Sequence, residues 1–159
     1  MLVKITGTDR LDGYDQRQHL CVTVESPKAK GALRVHTMST ADRLRVEGTL
    51  TLNGSTRTMH AGHAVKNNGV WVGEANNYSW TFESGAPSDK AIALANQVIA
   101  EVCRVAESEP AFNWEMMNCE KYYLEIDLER AQEKIEALKL ETLAQQTRIA
   151  ELEQKIRSY

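Results

Sequence analysis

The chain carries four histidines and three cysteines, the side chains from which metal ligation, proton transfer or nucleophilic attack would be built. His60-Ala61-Gly62-His63 is the densest cluster. Two imidazoles can ligate a metal or share a proton, but residues i and i+3 of a strand point to opposite faces. They converge only if Gly62 makes a bulge, and no third ligand is near in sequence, so ordinary turn or edge histidines are expected and no metal. His19, His36 and His60, with Cys21 or a serine, supply the components of a nucleophilic triad on paper. No G-x-S-x-G elbow accompanies them. Neither G-x-x-x-x-G-K-[ST] nor G-x-G-x-x-G occurs, so a phosphate loop and a dinucleotide fold have no support. The expectation is a protein with no catalytic residues and no cofactor.

Binding chemistry has two better candidates. Trp71, Tyr78, Trp80 and Phe82 gather within a short stretch beside Asn67, Asn68, Asn76 and Asn77. Aromatic faces with amide donors can stack on and read a planar, nucleotide-like ligand. The ligand-binding residues expected from this segment are Trp71, Asn76, Asn77, Tyr78 and Trp80. The competing reading makes the aromatic stripe core and the asparagines turn formers with positive φ. Arg34, Arg43, Arg45 and Arg57 punctuate the middle strands, and Arg45 and Arg57 are expected near facing positions across a hairpin, where they could hold phosphate. Glu47 and Thr49 share the Arg45 face, which favours a solvated outer surface instead.

These groups fall on short strands. Leu20, Val22 and Val24 alternate with polar residues, as do Leu33 and Val35. Leu44 to Leu52 is the cleanest strand, and Asn53-Gly54 after it is a hairpin signal because a type I′ turn needs positive φ at both central positions. Asn67-Asn68-Gly69 and Asn76-Asn77 mark further turns. Residues 1–87 therefore read as an antiparallel β-rich domain. The spacing then changes. Ser88 is an N-cap, and Ala91, Ala95, Val98, Val102 and Val105 predict an amphipathic helix over 88–109 lying on the sheet. A long helix is expected over 112–159, capped by Asn113, with Phe112 and Met117 as a hydrophobic staple. The fold class is α+β.

The long helix holds a heptad seam. Leu128, Ile135, Thr142, Ile149 and Ile156 fall at a, and Leu124, Ala131, Leu138, Gln145, Leu152 and Tyr159 at d. No Gly or Pro interrupts it after Asn113. A 3.5-residue apolar repeat demands cover by another helix. The helix over 88–109 is too short to supply it, so a homodimer through the C-terminal helix is expected. Thr142 and Gln145 form a polar break that can set register, and the charges at e and g do not decide helix polarity. Trp114, Met116, Tyr122, Tyr123 and Ile126 are extra apolar groups off the seam and are expected to pack on the first helix or the sheet.

Charge and cysteine usage bound the setting. The net charge is −3. Residues 1–87 hold ten Lys/Arg and eight Asp/Glu, and residues 113–159 seven and ten, imbalances too small to imply a nucleic-acid or membrane-surface partner. Three scattered cysteines fit a reducing, cytoplasmic setting. No apolar run approaches the roughly 18 residues of a membrane span. The reading is a non-enzymatic oligomeric binding protein that blocks or sequesters a protein or a small nucleotide-like ligand. By fold-level analogy alone, small phage and bacterial regulators that counter host defence share this layout. An assembly component working through its coiled coil is the alternative.

Overall fold

In a computed structural model, the structure describes residues 1–10, 18–53, 55–75, 80–82 and 88–159, with backbone alone at 9, 10, 18, 55–61 and 80–82. The elements are β1 (Leu2–Arg10), β2 (Gln18–Glu25), β3 (Ala29–Thr37), β4 (Arg43–Leu52), β5 (Ser55–Asn67), β6 (Val70–Glu74), β7 (Trp80–Phe82), α1 (Asp89–Ser108) and α2 (Pro110–Arg157). The layout is α+β, as its sequence implies. Strands β1 to β6 form an antiparallel meander in chain order. β5 is long enough to serve two neighbours on its outer edge: β6 pairs along His63 to Asn67 and β7 along Arg57 to Met59.

Local residue chemistry explains the turns. Asn68 (φ 51°) and Gly69 (φ 81°) both adopt positive φ between the paired Asn67 and Val70, the two-residue turn whose twist matches the strands it joins. Asn53 (φ 49°) opens the β4–β5 turn. The β4–β5 ladder slips between Val46 and Gly48, so residues 60 and 61 stand opposite Glu47. A bulge therefore exists in the His60–His63 segment, one residue earlier than Gly62.

One sheet face is the core. Leu20, Val22, Leu33, Val35, Leu44, Val46 and Leu50 are buried there against Ala95, Val98, Ile99 and Val102 of α1. Small residues allow the close approach. At Gly73 an added Cβ would stand 2.8 Å from Asn96 Cα and 2.9 Å from its carbonyl carbon, closer than real Cβ atoms come. The Asn96 side chain repays this proximity, its Oδ1 accepting a hydrogen bond from Ala75 N at 2.7 Å. Ser88 Oγ caps α1, accepting from Ala91 N at 3.3 Å.

The helix junction differs from the sequence expectation. α2 starts at Pro110, not at Asn113, whose N–H already donates to Glu109 O at 2.9 Å. Proline suits the first helical position, where its missing N–H has no partner to lose. Glu109 (φ −78°, ψ 114°) is the sole non-helical residue between the two helices. Phe112 and Met117 form no staple: Phe112 is buried and Met117 is exposed. The chain divides into two compact units, Met1–Glu120 and Lys121–Tyr159. Among the described residues no helix is long and apolar enough to cross a membrane.

Candidate functional site

In Lys121–Tyr159 the large apolar side chains at the a and d positions are all open to solvent. Their exposure runs from 43% at Leu152 to 74% at Ile156, with Leu124, Leu128, Ile135, Leu138 and Ile149 between, and Tyr159 is fully exposed. Isolated helices gain little from propensity alone, and most helix stability in proteins comes from packing an apolar face. Along Lys121–Tyr159 that face is exposed. An open groove of about 500 Å³ lies midway, lined by Ile135, Leu138, Lys139, Thr142, Leu143 and Gln146. The polar break is milder than its residue types imply. The Thr142 hydroxyl donates to Leu138 O at 2.8 Å within its own helix, so the donor is already satisfied and the break centres on Gln145. Exposed pairs such as Lys139–Glu136 (2.8 Å) and Arg148–Glu151 (3.1 Å) brace the helix surface, each by a few tenths of a kcal/mol, about 0.3–0.5.

Within Met1–Glu120 the first turns of α2 are two-faced. Phe112, Met116 and Cys119 are buried, while Trp114 and Met117 are 64% and 62% exposed. Trp114 therefore does not pack on the sheet; Tyr122, in Lys121–Tyr159, is exposed. Counting back in sevens from Leu128 reaches Lys121 and Trp114 at a, and from Leu124 reaches Met117 at d. The register was available in the sequence; starting the seam at Leu124 hid it.

The aromatic candidate resolves differently. Trp71 is 5% exposed. Its Nε1 donates to Glu107 Oε2 of α1 at 2.9 Å, Lys66 forms an ion pair with the same carboxylate, and Lys66 Nζ lies 5.6 Å from the indole centroid. Burial pushes the Glu107 carboxyl up, but the hydrogen bonds from Lys66 and Trp71 outweigh it and hold the group below the usual carboxylate range. Trp71 thus joins sheet to helix and is no open stacking surface. Asn76, Asn77 and Tyr78 lie outside the described residues, and Trp80 is described only as the backbone partner of Met59. Arg45 stands opposite His63 and Arg57 opposite Leu50. Five residues of β4 therefore separate their positions, roughly 17 Å along a strand, and the two arginines do not form one site.

The sheet face away from α1 carries a polar network that the sequence reading left dispersed. His19 and His36, on neighbouring strands, meet edge to face with centroids 3.8 Å apart. His36 Nε2 lies 2.9 Å from Glu47 Oε1, and Arg45 Nη2 donates to Glu47 Oε2 at 3.0 Å. Burial, then the neighbouring His19, push His36 down to about 4 against the opposing pull of Glu47. Burial, then Arg45, also lower His63. A carboxylate-held neutral imidazole can relay a proton, but among the described residues no group of three or more metal-ligating side chains converges. Burial pushes the Cys103 thiol far up, leaving it unreactive in the core.

This network makes stability depend on pH. An unfolded histidine protonates near 6.5, whereas folded His36 does so only near about 4. Between those values the unfolded state binds more protons, so stability is full above pH 6.5 and falls as the pH drops toward 4. The expected loss is about 2 kcal/mol. Urea midpoints measured at pH 7.5 and 4.5 should show a smaller difference for His36→Gln than for the parent chain. Equal differences would remove His36 as the cause.

Compared with protein-family models, curated proteins and solved structures, the chain matches none of them.

Proposed function

We propose that this chain is a non-enzymatic, self-associating binding protein whose C-terminal helix pairs with the same helix of a second copy as a coiled coil. The supporting observation is the uncovered a/d stripe from Leu124 to Ile156. Its side chains offer on the order of 1,000 Å² per chain, against about 800 Å² per partner in a standard stable interface. β-branched residues at a (Ile135, Thr142, Ile149, Ile156) with leucine at d (Leu124, Leu138, Leu152) favour two strands over three or four.

Pairing doubles every surface of the β-rich unit. On the face away from α1, Arg45, His63 and Glu74 form one cross-strand row and Arg43, Val65 and exposed Val72 the next, a mixed charged and apolar surface. Contacts too weak to hold a partner singly gain avidity when two copies act together. The occupant of that surface is a protein or a small anionic, nucleotide-like ligand. Native mass spectrometry of the full chain at low micromolar concentration tests the self-association. Twice the chain mass is the expected result. A single-chain mass that persists at tens of micromolar would sink the reading.

A further inference from the structure

Two of the charges that flank the seam have no partner within their own helix. Lys134 and Glu141 both occupy g positions. Ion pairs along a helix join residues three or four apart. Every residue at those distances from Lys134 or Glu141 is uncharged except Arg130, which is cationic like Lys134. Among the described residues neither side chain carries an ion pair. Asp127 and Arg148, also at g, hold exposed intrahelical partners, Arg130 at 3.9 Å and Glu151 at 3.1 Å.

We infer that the second copy lies antiparallel along Lys121–Tyr159, in the stagger that sets Lys134 against Glu141 and Asp127 against Arg148 of the other copy. This rests on the self-association reading above and adds direction and register. The charges beside a seam set the orientation of the helices. Parallel helices bring g to e; antiparallel helices bring g to g and e to e. Counted g to e, the charges of Lys121–Tyr159 decide nothing; counted g to g in this stagger, they agree. Two-fold symmetry repeats each pair, so Lys134 with Glu141 and Asp127 with Arg148 give four attractions and no repulsion. The e pairs, Glu125 with Gln146 and Gln132 with Lys139, oppose no like charges.

The seam closes in the same stagger. Ile135 meets Leu138, Leu124 meets Ile149, and Thr142, whose hydroxyl donates to Leu138 O of its own helix, meets Ala131. Four residues of the open groove, Ile135, Leu138, Lys139 and Thr142, stand at i, i+3, i+4 and i+7, the four-residue hole that receives one side chain of a facing helix. Ile135 of the other copy stands opposite it, and symmetry fills both grooves alike. Gln145 meets Leu128 and Lys121 meets Leu152; each long side chain can lie along the leucine with its polar end in water.

Other arrangements oppose these charges. A parallel, in-register pair gains Arg148 with Glu153 but sets Lys134 on Lys139, Glu141 on the uncharged Gln146 and Lys121 on Lys121 inside the seam. Sliding the antiparallel pair by one heptad one way sets Asp127 on Glu141 and Lys134 on Lys134, with Glu125 and Lys139 the attracting pair. The opposite slide sets Lys134 on Arg148, Glu141 on Glu141, Glu125 on Glu153 and Lys139 on Lys139, against Asp127 with Lys155. A second heptad in that direction pairs Glu141 with Arg148 but sets Lys134 on Lys155. Apolar layers form in all of these; the charges choose among them.

Two cysteine variants of the full chain test this, Ala131→Cys and Thr142→Cys. Both positions are exposed, so neither change disturbs a packed core. Co-expressed, purified and mildly oxidised, the two variants should yield a disulfide-linked dimer holding one of each, read by intact mass. Either variant alone should not cross-link. Like positions then stand eleven residues apart along the axis, about 16 Å, beyond disulfide reach. The parent chain is the control for its own Cys21, Cys103 and Cys119. Cross-linking of each variant to itself shows a parallel pair and overturns the inference while leaving self-association standing. A dimer by native mass that cross-links in no combination overturns the stagger, again leaving self-association standing. A single-chain mass for the parent overturns both this inference and the reading beneath it.

Discussion

Under the proposed self-association, Leu138→Asp should leave the chain a monomer. Leu138 sits at d, half exposed at 52% and lining the groove midway along the helix. In a paired seam the substitution removes two leucines and places two carboxylates side by side. Deleting one buried leucine costs about 2–5 kcal/mol, and an unpaired buried charge adds more. A total of about 5 kcal/mol per dimer raises Kd by on the order of a thousandfold or more. Leu140→Asp is the matched control. Leu140 is the more exposed of the two, at 70%, but falls at f, so its loss should leave the dimer intact. Sedimentation equilibrium of both variants reads the difference. If Leu138→Asp stays dimeric, another surface holds the copies together. The monomer should also lose helical signal in circular dichroism, because an unpaired helix gets little support from propensity.

The second large effect is expected at Gly73→Ala. The methyl group would overlap the backbone of α1 at Asn96, with Cα and the carbonyl carbon within 2.9 Å. Backbone cannot swing aside as a side chain can, so α1 must lift from β6. That lift weakens the Asn96 to Ala75 hydrogen bond and opens the core around Ala95 and Ile99. Overpacking of this kind costs roughly 3 kcal/mol. Gly69→Ala separates this clash from simple backbone strain. Gly69 has positive φ but open space around it, so its replacement should cost only about 1 kcal/mol. Urea denaturation followed by fluorescence reads both; a Gly73→Ala midpoint within error of the parent would show that α1 is free to shift.

Much of this molecule is legible in its residues because the signals are local. The Asn68-Gly69 turn, the alternation of Leu20, Val22 and Val24 and the apolar stripe of α1 each follow from φ preference or periodicity within a few positions. What was not legible depends on distant partners. Trp71 looks like part of an open aromatic surface until Glu107, 36 residues later, accepts its indole hydrogen. Arg45 and Arg57 look like neighbours until the bulge opposite Glu47 and the strand register set them apart. The His19, His36 and Glu47 contacts span three strands, and no spacing within one strand reveals them. Trp114 is the opposite case: its place follows from multiples of seven, and its aromatic character drew it toward the core instead.

The junction at Glu109 has a consequence for the azimuth of α2. One extended residue, followed by a proline with its ring-fixed φ, leaves no slack between the helices. Successive helical residues turn by about 100°, so the length of this connector sets the rotational phase at which α2 leaves α1. In the present phase Phe112 and Met116 are buried and Trp114 and Met117 exposed. Adding or removing a single residue there would rotate the outward stripe by more than a quarter turn while changing no side chain in it. Most surface connections tolerate drift in length; a change of length here would turn the buried Phe112 and Met116 out toward water.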